Sequence, residues 1–196
     1  RTLDTISREV LAAGTNVQYA EGQVTSRAAL TPEMKLTVKA VKKAVRFLKK
    51  QNAKKINGYY YGIVHPDCSY DLTEDARWID AVKYKNPERI YNGEIGEIEG
   101  ARFVETTEAK IWAKAGAAKS TSDTTKIDVY GTLIFGANAY ATTKIEGGGL
   151  KTIIKQLGSA GTGDPLDQRA TVGWKALKVT EILTEAYMIR IETAST

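Results

Sequence analysis

The chain has 196 residues, 42% of them apolar and 26% charged, which is the composition of an ordinary globular protein of one large or two small domains. One cysteine and one histidine exclude an internal disulfide framework and a zinc site built from the usual His and Cys ligands. No apolar run approaches the ~18 residues of a membrane helix, and a net charge of +5 is too modest and dispersed to define a polyanion binder.

In chain order, Leu3, Ile6, Val10 and Leu11 are spaced for one face of a helix, with Gly14 as the residue that ends it. The start at Arg1 rather than Met points either to a removed segment or to a beginning inside a longer protein. Asn16 to Ala20 alternates weakly as a short strand, and Glu21 to Leu30 reads as a loop. The strongest helical pattern spans Thr31 to Gln51, with Thr31 as N-cap, Pro32 at the first helical position and Glu33 complementing the helix dipole. Met34, Val38, Val41, Val45 and Leu48 form one apolar stripe. Lys35, Lys39, Lys42, Lys43, Arg46, Lys49 and Lys50 cover the rest, and a solvated helix face explains them more simply than a nucleic-acid surface.

Gly58 to Pro66 is the clearest buried strand, aromatic and β-branched, and ended by a proline that cannot donate to a ladder. Asp67 to Leu72 is expected to turn into a second helix, Thr73 to Val82, capped by Thr73 and ended by Asn86-Pro87. Asn92-Gly93 signals a turn, Gly96 a bulge, and Gly100 to Thr106 a strand. Ala113 to Lys126 lacks large apolar residues and is expected to be exposed and mobile. Asp128 to Thr142 reads as a buried strand running into a short helix at Ala137 to Tyr140. Gly147 to Gly149 marks a hinge or tight crossing, Thr152 to Lys155 a strand, and Gly158 to Asp167 a loop. Val172 to Thr180 and Tyr187 to Glu192 are two further strands. Met188, Arg190 and Glu192 alternate with Tyr187, Ile189 and Ile191, the pattern of a half-exposed antiparallel pair. The last strand is expected to close the fold.

Catalytic and metal-binding constellations are missing. His65 lies near Asp67 and Cys68, but a metal site needs further ligands and a Cys–His pair needs a third orienting group, so His65 and Cys68 read as structural. Glu94, Glu97, Glu99, Glu105 and Glu108 read as solvated carboxylates rather than a catalytic pair. The glycines at 93, 96 and 100, and those at 147–149, precede no Gly-Lys-Ser/Thr and form no phosphate loop. Tyr59 to Tyr61 reads as core rather than a base-stacking platform. The expectation is no enzyme, no cofactor and no metal.

Several segments together carry a resemblance. They are Ala-Ala-Gly14-Thr15, the basic helix, Tyr-Tyr-Tyr-Gly-Ile-Val-His65-Pro66, Asn92-Gly93-Glu94-Ile95-Gly96, Gly100-Ala101-Arg102-Phe103-Val104-Glu105, Asp164-Pro165-Leu166, Val172-Gly173-Trp174-Lys175 and Ile189-Arg190-Ile191-Glu192. In this order they resemble the major capsid proteins of tailed phages, in the branch of enquatro-type podovirus coat proteins. The resemblance implies an α+β Hong Kong 97-like fold. It would have a mixed central sheet flanked by helices as an axial domain over residues 25–145. Residues 1–24 and 146–196 would be a peripheral domain with antiparallel strands. Leu3 to Ala13 would be the remnant of a spine helix, with the N-terminal arm and extended loop absent. The implied role is a structural subunit of an icosahedral capsid, assembling with copies of itself into hexamers and pentamers. Further implied contacts are decoration, scaffolding or portal proteins and packaged double-stranded DNA, with no membrane. The implied location is the virion, after assembly in the host cytoplasm. An encapsulin-like compartment shell and a basic nucleic-acid-binding module are the alternatives.

Overall fold

The computed structural model describes residues 2–79, 96–120, 122–143, 149–159, 163, 164, 166 and 168–195. Its helices are α1 (Thr2–Ala12), α2 (Val38–Lys50) and α3 (Pro66–Thr73). The strands are β1 (Val17–Tyr19), β2 (Tyr60–Val64), β3 (Glu97–Ile98), β4 (Ala101–Glu105), β5 (Ile111–Trp112), β6 (Val129–Phe135), β7 (Tyr140–Thr142), β8 (Lys151–Lys155), β9 (Thr171–Lys175), β10 (Thr180–Ile182) and β11 (Met188–Thr193). Seven strands form one mixed sheet in the order β1-β11-β6-β2-β4-β3, with β5 also paired to β6. β6 runs antiparallel to both β11 and β2, while β2–β4 and β1–β11 are parallel. β7 pairs β10, and β8 pairs β9, as two separate ribbons. Among the described residues no helix is long and apolar enough to cross a membrane.

The chain divides into two compact units, residues 1–141 with 181–196, and residues 142–180. The smaller unit is a single continuous excursion of the chain from the larger one. The core of the larger unit forms where α2 lies on one sheet face. Ala40, Val41, Ala44, Val45 and Leu48 are buried with Tyr60, Val64, Ala101, Ile134, Ile189 and Ile191. The two alanines keep the helix close to the sheet, and burying Val41, Val45 and Leu48 contributes about 6 kcal/mol at ~2 kcal/mol each. The opposite face buries Leu133, Phe135 and Met188 against Leu11 of α1.

Local chemistry moves several expected boundaries. α2 begins at Val38, not after Thr31, because Thr37 is the N-cap and its Oγ1 accepts the Ala40 N–H at 3.2 Å. Asp75 accepts the Val38 N–H from another element at 2.9 Å, satisfying a second free donor of that helix end. Met34 is therefore outside the helical stripe, and its carbonyl accepts the Ala194 N–H. At the other end Asn52 takes φ 56° and the Ala53 N–H reaches the Leu48 carbonyl, a left-handed stop.

Pro66 does more than end β2. It is the first residue of α3, and His65 caps that helix through Nδ1, so 66–73 is helical where a turn was expected. Thr73 closes α3 instead of capping the next helix; Asp75 accepts the Arg77 N–H and starts helical residues 76–79. The rest of the expected helix, Asn92-Gly93 and Glu94 lie outside the described residues. Glu99 and Gly100, at φ 53° and 83°, make a left-handed turn that joins β3 to β4, so Gly100 belongs to the turn and not the strand. Residues 137–139 are a turn and Tyr140 opens β7, so 137–140 is not a helix. Residues 118–126 are exposed where described, but the base of that loop is tied by Gly116 N–H to Ile127 and Ala117 N–H to Leu30. Gly14 does not take the left-handed helix stop; a Cβ there would lie 2.9 Å from the Met188 methyl carbon.

The largest correction concerns β11. It is buried on both faces and lies between β1 and β6, so it is neither half-exposed nor terminal in the sheet. The expected strand 172–180 is not continuous: Thr171–Lys175 is β9, in a hairpin with β8, and Thr180 opens β10.

The packing separates folding from surface charge at neighbouring positions. Val41→Asp places a carboxylate among fully buried side chains and is expected to cost roughly 3 kcal/mol or more. Lys42→Glu changes an exposed residue whose partner, Glu99, is 3.4 Å away, and its cost is expected to stay near ~0.5 kcal/mol. Urea denaturation of the two variants checks both values.

Candidate functional site

The sequence-predicted residues come together only in part. His65 closes β2; its Nδ1 accepts the Asp67 N–H at 3.2 Å and its ring lies 5.1 Å from that of Tyr130. Burial, then the hydrogen bond its hydroxyl donates to the Asp67 carboxylate, raises the Tyr130 phenol. Cys68 is buried with its Sγ 3.7 Å from Thr193 Oγ1, and burial pushes its thiol up to about 12. A thiol so placed is a small apolar core group, not a nucleophile. The glutamates serve different partners. Glu99 faces Lys42, Glu105 accepts from Ser69, and the Glu108 carbonyl accepts from Arg8. Tyr60 is core, with its hydroxyl on the Ala53 carbonyl, while Tyr59 lies under Arg102. Among the described residues no group of His, Cys, Asp or Glu could hold a metal ion.

The strongest electrostatic feature was not anticipated. Glu192 on β11 is 0% exposed and is gripped from both sides. Arg27 donates to it twice, at 2.7 and 2.8 Å, and Arg190 Nε once, at 2.8 Å. Arg27 also stacks 3.9 Å over the Trp112 ring, with Arg190 at 5.3 Å. The Arg190 Nη1 then donates to the carbonyls of Ala12 and Gly14, at the end of α1. The i, i+2 pair Arg190 and Glu192 was visible in the sequence as one face of a strand; Arg27, 165 positions away, was not.

The smaller unit has a different character. β8 and β9 pair antiparallel from Lys151↔Lys175 to Lys155↔Thr171, and all ten residues are exposed. Opposite residues share a face. One face carries Lys151, Lys155 and Lys175 around Ile153 and Gly173; the other carries Ile154, Val172 and Trp174 with Thr152. Ile154, Val172 and Trp174 are 64, 74 and 56% exposed. Nine of the thirteen exposed large apolar side chains among the described residues fall in residues 142–180. A lone two-stranded ribbon is marginal in water, and the apolar face of Ile154, Val172 and Trp174 is left uncovered by the described residues of this unit.

The family model of the phage capsid protein matches residues 5–157. With this fold and match, the chain belongs to the phage capsid protein family. No curated protein sequence matches it. Among solved structures it is similar to the capsid of Ralstonia phage GP4, at 15% identity over 92% of this chain and 53% of that one, with a TM-score of 0.64. It is also similar to the acidic stable capsid of Helicobacter pylori bacteriophage KHP30, at 12% identity over 97% and 64%, with a TM-score of 0.65. A third similar structure is from Mycobacterium phage Che8, at 14% identity over 96% and 57%, with a TM-score of 0.63. The likeness is one of fold, and it bears out the α+β architecture with a mixed sheet. The chain spans a little over half the length of the capsid chains it matches.

Two outcomes follow from the buried groups. Glu192→Gln leaves two arginines without their carboxylate and is expected to destabilise the protein by about 3–5 kcal/mol, measured by urea denaturation. Cys68, with its thiol raised to about 12, is expected to label negligibly at pH 8 in the folded protein, where the thiolate fraction is on the order of one in ten thousand. It should label at once in denaturant; a thiol-reactive chromophore followed in both states checks this.

Proposed function

We propose that this chain is the sheet-bearing part of a phage major coat protein, a structural subunit that associates with copies of itself into hexamers and pentamers of an icosahedral shell. The single observation that carries the reading is the concentration of exposed apolar side chains on the hairpin unit of a family member. Burial of Ile154, Val172 and Trp174 against a neighbouring copy supplies the driving force, since removal of apolar area from water is non-directional and repeats with the symmetry of the shell. In this reading the seven-stranded sheet with α2 is the axial-type domain and α1 is the end of a spine helix. The role is structural, without catalysis. Packaged double-stranded DNA, met non-specifically, and scaffolding, decoration or portal proteins are the further partners. Assembly occurs in the host cytoplasm and the product resides in the virion. The family match favours this reading over an encapsulin-like shell or a nucleic-acid module.

The test is a double substitution, Ile154→Asp with Trp174→Asp, in the complete protein. Both side chains are exposed in the subunit, so circular dichroism and thermal midpoint are expected to stay near those of the unmodified protein. Particles in sedimentation and electron microscopy are expected to disappear. Normal particle yield from the double variant would overturn the assignment of this surface.

A further inference from the structure

β1 is the edge strand of the large sheet and pairs only with β11 among the described residues. Asn16 accepts the Arg190 N–H at 2.9 Å and Ala20 donates to the Glu192 carbonyl at 2.8 Å. Even-numbered residues thus spend their backbone groups on β11, and Val17 and Tyr19 aim theirs outward. The Tyr19 carbonyl is taken by the Gly22 N–H at 2.7 Å. That leaves the Val17 N–H, the Val17 carbonyl and the Tyr19 N–H facing out, with no partner among the described residues.

This edge is one wall of an open groove of about 620 Å³, and the other wall is α2. Lys43, Arg46 and Lys50 line that wall at i, i+3 and i+7, one side of the helix, with Phe47 between them. The acid in the lining, Glu21, is already committed to Lys39 at 2.5 Å and to Thr37 at 2.9 Å. Lys43 donates to the Glu21 carbonyl, so the positive charge left for a ligand belongs mainly to Arg46 and Lys50. Edge strands are ordinarily blunted by shortness, their own charges, a proline or a bulge, and of these β1, three residues long, has shortness. The sequence of β1, Val-Gln-Tyr, has none of these charges and no proline.

We propose that this groove receives an extended, acidic segment of a neighbouring copy of the chain, which adds one strand to the sheet beside β1. The inference rests on the capsid-subunit reading, because a shell of repeated subunits sets the same groove of every copy beside a neighbour. The chemistry of the edge selects a polypeptide. It offers donors and an acceptor in strand spacing, and another backbone satisfies both. A nucleic-acid phosphate would meet the N–H groups and leave the Val17 carbonyl bare. Side chains of the added strand that point to α2 meet Arg46, Lys50 and Phe47, so acidic residues interspersed with apolar ones fit best.

The test uses particles of the complete protein carrying Thr25→p-benzoylphenylalanine, a photo-reactive side chain at the groove lining. Irradiated particles are expected to give a covalent dimer of the chain whose partner peptide, read by mass spectrometry, is acidic. Unassembled subunits should give none. No cross-link in particles, a cross-link within one chain, or one to DNA or another protein would each overturn the strand. Val17→Pro removes the outward donor and spares the inward bonds, and it is expected to lower particle yield about tenfold or more with an unchanged circular dichroism spectrum. If that variant fails to fold, Arg46→Glu with Lys50→Glu, both on the exposed side of α2, is expected to give the same loss, and normal particles from it would overturn the proposal. Failure of the unmodified protein to form particles would overturn the capsid reading itself, a separate outcome.

Discussion

Glu192 sits on a buried strand with both carboxylate oxygens spent on arginine. A carboxylate that far from water costs several kcal/mol to desolvate, and the surroundings offset it. Arg27 binds it in a fork, a geometry that a lysine could not supply. Trp112 covers the Arg27 guanidinium, and Arg190 Nη1 donates to the carbonyls of Ala12 and Gly14 at and just past the end of α1. One charge thereby fixes the loop at residue 27, the ring of β5, the centre of the sheet and the end of the first helix. Further out, Glu9 on α1 pairs with Lys110 at 2.5 Å, and the hydrogen bond from Lys110 holds the Glu9 carboxyl below its usual range. That outer pair is half exposed and adds little; the inner group sets the geometry.

The same network explains why β11 was misread. Alternation of Arg190 and Glu192 with isoleucines looks like one wet face and one dry face. The rule assumes that charges face water, and here they face each other. A charged strand face is buried when the partner charge arrives from a distant part of the chain, and nothing local to residues 187–193 announces Arg27. The apolar stripe of α2 from Val38 on, the buried strand ending at Pro66 and the run 129–135 were legible because each depends on its own periodicity. The capping residues were less so. Thr31 and Thr37 are equally good N-caps by type, and Asp75, from a different element, decides between them by satisfying the Val38 N–H. His65-Pro66 was recognised as a strand end; that the histidine nitrogen would also cap α3 depends on the ring orientation, which sequence does not carry. For the candidate surface, the strand at 152–155 is legible in sequence, but its pairing with 171–175 is not, since about fifteen residues of chain separate them.

The two units of this chain obey different rules. In the larger one, apolar faces meet apolar faces, and the buried charges of β11 are paired. In the hairpin unit the alternation is just as regular, yet neither face is covered within the described residues of that unit. A sequence that maintains Ile154, Val172 and Trp174 on one face and three lysines on the other specifies a two-sided surface, and the natural place for such a violation of folding economy is an interface.

Apolar burial alone does not make a closed shell. It is non-directional, and a sticky patch that meets any complementary surface gives open aggregates as readily as rings. Register must come from contacts that tolerate only one placement. Backbone pairing along a strand edge has that property, because a slip of one residue turns every side chain to the wrong face. In β1 the outward groups at Val17 and Tyr19 recur at two-residue spacing beside cations fixed on α2, so an incoming strand is constrained both along the edge and in the order of its charges. In the proposed assembly the hairpin would supply affinity and the β1 edge register, two complementary solutions to one problem.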